Sequence, residues 1–130
     1  MGRSLGSASA LEIGVYARNG IAGLIIESGF AFARDLVARL GGPAPEVPDD
    51  GRIGLGHLAK IQQIEVPTLI LHGEDDWIIP VADARALHQH SGAADKRLVT
   101  VPGAGHNDLL WVGAVEYFSA IRELVGENSR

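Results

Sequence analysis

Three short apolar runs, each rich in branched side chains and each followed by a helical pattern, leave this chain few folds to adopt. They are 21–27 (IAGLIIE), 68–72 (TLILH) and 97–101 (RLVTV). The first two suit strands buried on both faces, and 97–101 reads as a third strand. The segments before, between and after them carry apolar residues at helical spacing. In 7–18 these are Ala8, Leu11 and Val15, with Asn19-Gly20 as the stop. In 30–40 they are Phe32, Leu36, Val37 and Leu40, stopped by Gly41-Gly42-Pro43. Residues 57–63 predict a short helix, 81–91 another after Pro80, and 108–125 a last one with a broad apolar face. The order is one helix, then strand and helix three times. That rhythm predicts an α/β fold with about three parallel strands, right-handed crossovers and helices on both faces. A sheet so small needs its edges covered.

The 130 residues make one domain at most, and 46% apolar against 21% charged residues is enough to build a core. A net charge of −5 with no basic run argues against nucleic acid as a partner. The longest apolar runs are short, so no membrane span is expected. The N-terminus fits neither a signal peptide nor a myristoylation site, and a cytoplasmic location is the expectation. The absence of cysteine removes disulfides, thiolate metal sites and cysteine nucleophiles. Residues 43–56 hold three prolines, Asp49, Asp50 and Gly51, and 41–60 reads as a variable loop or lid-like segment.

Three groups of residues carry chemistry. Gly2-Arg3-Ser4-Leu5-Gly6 is a G-x-S-x-G pentapeptide, the pattern of a nucleophile elbow, in which a sharp turn pushes a serine hydroxyl outward. The glycines two residues either side of Ser4 leave room for that turn. His72-Gly73-Glu74-Asp75-Asp76-Trp77 follows the second predicted strand, and Gly103-Ala104-Gly105-His106-Asn107-Asp108 follows the third. The C-terminal ends of parallel strands line one side of a sheet, so all three groups fall on one edge. A serine hydroxyl becomes a useful nucleophile when a neutral histidine takes its proton. That histidine needs a carboxylate to fix its tautomer and stabilise the imidazolium. Asp75 and Asp76 both stand where such a carboxylate is needed, and Glu27, at the end of the first strand, is an outside candidate. His106, flanked by glycine after the last strand, is the candidate base.

These motifs resemble the α/β-hydrolase superfamily, and within it the serine aminopeptidase-like bacterial hydrolases. GRSLGSASA is similar to that group's elbow and following helix, PTLILHGEDDWIIP to its acid-bearing strand and loop, and GAGHND to its histidine loop. The resemblance implies Ser4 as nucleophile, Asp76 as the acid, three residues after the glycine, and His106 as the base. It also implies the Leu5 backbone N–H as an oxyanion-hole donor. The activity implied is hydrolysis of a small-molecule ester, thioester or amide through an acyl-enzyme, with no cofactor and no metal.

The remaining histidines and tryptophans read differently. His72, at the end of a buried strand, suits a structural hydrogen bond to the acid loop. His88 and His90 are two apart on a predicted helix and do not share a face, which argues against a metal pair. Gly54-Leu55-Gly56-His57-Leu58-Ala59 echoes a dinucleotide fingerprint but precedes a strand, so it is rejected. Trp77 is placed to wall a pocket, and Trp111 is expected to be partly buried.

The resemblance begins at the elbow, so 1–130 is expected to be the C-terminal portion of such a domain, with Met1 an internal methionine of a longer protein. On that view Ser4 sits on a frayed end, the strand at 21–27 lacks a neighbour, and one oxyanion donor is missing. The alternative from another class is a non-catalytic half-domain that pairs with another chain, or with itself, through an uncovered sheet edge.

Overall fold

The structure, a computed structural model, describes residues 1–17, 20–43 and 56–127. One parallel sheet of four strands runs in the order β1 (Gly2–Arg3), β2 (Leu24–Glu27), β3 (Thr68–Gly73) and β4 (Lys96–Val101). The three expected strands are β2, β3 and β4. The fourth, β1, corrects the expectation of three: Gly2 pairs with Ile26 and Arg3 with Glu27. The strand at 21–27 therefore has its neighbour. The next amide, Ser4 N–H, extends the same ladder to the Glu27 carbonyl at 2.9 Å. The elbow is tied into the sheet by main-chain hydrogen bonds, not frayed.

Alternation along the strands sorts the core into two faces. Leu24, Ile26, Ile70 and Leu98 point to one side, against Ala10, Leu11, Ile61, Ile64, Ala84 and Leu87. These belong to or flank α1 (Gly6–Tyr16), α3 (His57–Gln62) and α4 (Val81–His90). Ile25, Leu69, Leu71, Val99 and Val101 point to the other side, against Leu109, Tyr117, Ala120 and Leu124 of α5 (Leu109–Val112) and α6 (Ala114–Glu127). Every residue of β3 is buried, as a strand covered on both faces requires. A third cluster, Phe30, Ala33, Leu36 and Ile79, joins α2 (Ala33–Arg39) to the loop after β3.

Two helices differ from the sequence expectation. The helix expected over 30–40 starts only at Ala33. The Ala31 and Phe32 N–H groups donate instead to Asp83 Oδ2 of α4, at 2.9 and 3.3 Å, which keeps the preceding segment extended. The helix expected over 108–125 is broken at Gly113. A Cβ there would lie 2.6 Å from both γ-methyls of Val101, so only glycine lets the chain pass this close to β4. The break resets the helical phase. Trp111, expected to be partly buried, is 82% exposed because α5 turns Leu109 inward instead.

The loop or lid expected over 41–60 falls largely on 44–55, outside the described residues, as does the start of the rejected dinucleotide-like pattern; its last residues form the start of α3. Among the described residues no helix is long and apolar enough to cross a membrane.

Candidate active site

The elbow is built from the meeting of β1 and α1. Ser4 takes φ +51°, a left-handed conformation uncommon for a residue with a side chain. The ladder bond to Glu27 before it and the Ser7 N–H to Ser4 carbonyl bond after it, at 3.0 Å, hold that strained turn. The two glycines of the pentapeptide are not equivalent. A Cβ on Gly2 would lie 2.5 Å from Ala10 Cβ and from the Gly6 carbonyl oxygen, whereas one on Gly6 would meet nothing within 4 Å.

The sheet brings Ser4, His106 and Asp76 into one hydrogen-bonded line. His106 Nε2 lies 2.9 Å from Ser4 Oγ, and His106 Nδ1 lies 2.7 Å from Asp76 Oδ2. Asp76 is buried, and its other oxygen accepts the Ile78 and Ile79 N–H groups at 2.9 and 2.8 Å. One carboxylate oxygen is thus saturated by its own loop, and the other is left to face the imidazole. With Nδ1–H held by a carboxylate, Nε2 carries the lone pair toward Ser4, as a base must.

The rival carboxylates are placed elsewhere. Asp75 is exposed, and its N–H is used to bind the Ala104 carbonyl at 2.9 Å. Glu27 is buried but accepts from Arg3 Nε at 3.0 Å and from the Tyr117 hydroxyl at 2.8 Å. Burial, together with the Glu27 carboxylate, pushes the Tyr117 hydroxyl up to about 12, so it stays a donor. The Leu5 N–H opens the first turn of α1, where the helix dipole favours negative charge. Among the described residues it meets no backbone acceptor.

His72 supports the acid loop as expected. Its Nε2–H donates to the Ile79 carbonyl at 2.8 Å, and the same nitrogen is 3.5 Å from Asp76 Oδ2. Burial lowers its pKa below the ordinary 6.5, outweighing the pull of the Ile79 carbonyl and of Asp76. The sign follows directly. The unfolded chain protonates this histidine near 6.5, and the folded chain does so only at lower pH. Stability is therefore full above 6.5 and falls as pH drops from there toward the lowered folded value. Urea unfolding at pH 8, 6.5 and 5 is expected to show that loss. His72→Gln, which keeps the donor but does not titrate, is expected to flatten the slope; an unchanged slope would assign it to other groups.

Beside the acid loop lies a groove of about 280 Å³ lined by Arg39, Glu74, Asp75, Asp76, Trp77, Pro80 and Val81. Trp77 walls it while remaining largely exposed. Among the described residues no three His, Asp or Glu side chains converge as metal ligands would. His90 Nδ1 is 2.9 Å from the Ala86 carbonyl of its own helix.

Sequence reasoning missed Arg3. Its Nη2 donates to the His106 carbonyl at 2.7 Å and to Asn107 Oδ1 at 3.1 Å, while Nε holds Glu27. The only signal available was its place inside the pentapeptide.

Comparison with known proteins agrees with this architecture. Residues 54–110, which include Asp76 and His106, match the family model described as serine aminopeptidase, S33. The chain is 30% identical over 108 residues to the uncharacterized Escherichia coli protein YfhR, covering 82% of this chain and 37% of that one. It is 49% identical over 49 residues to a non-heme chloroperoxidase of Burkholderia pyrrocinia, covering 38% of this chain and 17% of that protein. It thus spans well under half the length of these curated relatives. Among solved structures, a Pyrococcus furiosus esterase superposes with a TM-score of 0.76 at 16% identity, over 97% of this chain and 51% of that one, which speaks for the fold alone. From the parallel sheet, the elbow and these matches together, the chain belongs to the α/β-hydrolase superfamily, with its family match in the serine aminopeptidase-like group.

Proposed function

We propose that this chain carries the reacting groups of a serine hydrolase acting on a small ester, thioester or amide. The observation that supports this most is the unbroken line Ser4 Oγ, His106 Nε2, His106 Nδ1, Asp76 Oδ2, with both contacts at hydrogen-bond distance. In this reading Ser4 Oγ attacks the substrate carbonyl as His106 Nε2 takes its proton. Asp76 holds the Nδ1–H and stabilises the imidazolium. The Leu5 N–H points its dipole at the developing oxyanion. His106 then gives its proton to the departing alkoxide, thiolate or amine, leaving an acyl group on Ser4. A water molecule, deprotonated by His106, hydrolyses that acyl-enzyme and restores the serine.

The test is a fluorophosphonate probe, which phosphonylates an activated serine. The purified chain is expected to label at one site, Ser4, and Ser4→Ala to abolish the label. Failure of the folded protein to label would remove hydrolase activity from this chain.

A second reading, a module that binds another chain, has one observation in its favour. Trp111, Val115 and Phe118 of α5 and α6 are 82%, 76% and 53% exposed, an unusual display of apolar side chains. Light scattering on the eluted protein tests it, and a stable monomer across concentrations would count against it.

A further inference from the structure

Arg3 makes three hydrogen bonds that the elbow turn itself does not require. They join three separate parts of the molecule. Nε reaches Glu27 at the end of β2, and Nη2 reaches the His106 carbonyl and Asn107 Oδ1 in the loop after β4. Glu27, only 6% exposed, is itself held by Tyr117 of α6. A continuous path of side chains thus runs from α6 through β2 and β1 to the main chain of the histidine loop.

That loop has reason to need an anchor. Two glycines precede His106, one of them, Gly103, at φ +76°, so the backbone there has little stiffness of its own. Among the described residues its other main-chain ties lead to β4, to the acid loop, to α5 or back to itself: Ala104 N–H to Val101, Asp75 N–H to the Ala104 carbonyl, the Trp111 and Val112 N–H groups to the Asp108 carbonyl, and Gly105 N–H to Asp108 Oδ1. The Arg3 contacts lead to the strand that carries Ser4. Arg3 is also the residue next to Ser4, so a shift of His106 against the guanidinium is a shift against the nucleophile. The planar fork can serve Glu27 through one edge nitrogen and the loop through another at once, which a lysine ammonium cannot do.

Resting on the serine-hydrolase reading, we propose that Arg3 is a positioning residue for His106. It fixes the histidine's main chain, with Glu27 and Tyr117 holding the guanidinium in place, and so sets the imidazole-to-Ser4 distance. Arg3 touches neither substrate nor reacting atoms.

The experiment compares wild type, Arg3→Gln, Arg3→Lys and the double variant Arg3→Gln with Glu27→Gln. The double variant avoids leaving a buried carboxylate without its cation. Fluorophosphonate labelling is followed over time at several probe concentrations, giving the maximal rate, the half-saturating concentration and the final extent. The double variant is expected to label to full extent with an unchanged half-saturating concentration. Its maximal rate is expected to fall between about tenfold and a hundredfold, the scale of a small misplacement of a reacting group. Arg3→Lys is expected to recover part of that rate. A maximal rate within twofold of wild type overturns the proposal, and so does a reduced extent at an unchanged rate, which would make Arg3 a folding residue only. The ring nitrogen NMR resonances of His106 are read on the same proteins. If wild type fails to label, the hydrolase reading fails by itself, and the ring signals decide the positioning role. Shifted or exchange-broadened signals in the double variant support it, and signals identical to wild type overturn it.

Discussion

Asp76→Asn is expected to slow phosphonylation of Ser4 by about ten-thousandfold while leaving the protein folded. The asparagine oxygen can still accept the Ile78 and Ile79 amides, so the loop keeps its shape. The change falls on the other side of the group. An amide NH₂ now faces His106 Nδ1, at the position where Asp76 Oδ2 stood 2.7 Å away. To accept that donor the imidazole must move its proton from Nδ1 to Nε2, and Nε2–H cannot take the proton of Ser4. The damage is thus a wrong tautomer in an intact site. Labelling kinetics measure the loss, and a thermal melt within a few degrees of wild type establishes that the fold survives. A drop smaller than tenfold would mean that another group orients His106.

The two elbow glycines are expected to respond in opposite ways. Gly2→Ala drives a methyl to 2.5 Å from Ala10 Cβ and from the Gly6 carbonyl, and the second contact is backbone at the start of α1. Neither neighbour is the flexible end of a long side chain, so α1 must move away from β1. A destabilisation of about 3 kcal/mol is expected, the upper part of the usual overpacking range. Ser4 lies between the two displaced elements, so labelling should fail even in molecules that fold. Gly6→Ala meets open space and replaces the poorest non-proline helix former with the best, a gain of up to about 1 kcal/mol. Urea unfolding of both variants checks the pair. Equal destabilisation by the two would contradict the packing that distinguishes them.

The parts of the molecule that could be read from sequence are those in which one residue's neighbours in the chain decide its fate. The run Thr68 to Gly73 is apolar enough to demand cover on both faces, and the structure buries all of it. The loop after β3 holds Asp76 by local hydrogen bonds to Ile78 and Ile79, and the glycines around His106 mark the loop after β4 in the sequence. What escaped reading depends on residues far apart. The strand β1 has two residues, too few for any period, and exists because β2 offers it a ladder. Arg3 meets His106 across 103 positions, and Tyr117 meets Glu27 across 90. Asp83 delays the start of an expected helix from 51 or more positions away. Trp111 was misplaced for a different reason. The expectation of one helix through 108–125 carries a single helical phase, and the close passage of Gly113 by Val101 interrupts it.

The order of the strands gives the Ser4–His106 hydrogen bond a meaning beyond chemistry. Ser4 follows β1 and His106 follows β4, the two outermost strands of the sheet. Their starting points are three inter-strand spacings apart, about 14 Å, and the loop after β4 must lean back over β3 and β2 to bridge them. A slip of one residue in any ladder would shift one partner by about 3.3 Å along the strands, more than the 2.9 Å contact can absorb. The contact therefore works as a vernier for the whole sheet: it closes only when all three strand pairings are in register. A probe that reads this one serine–histidine pair also measures what fraction of the molecules has assembled every strand correctly.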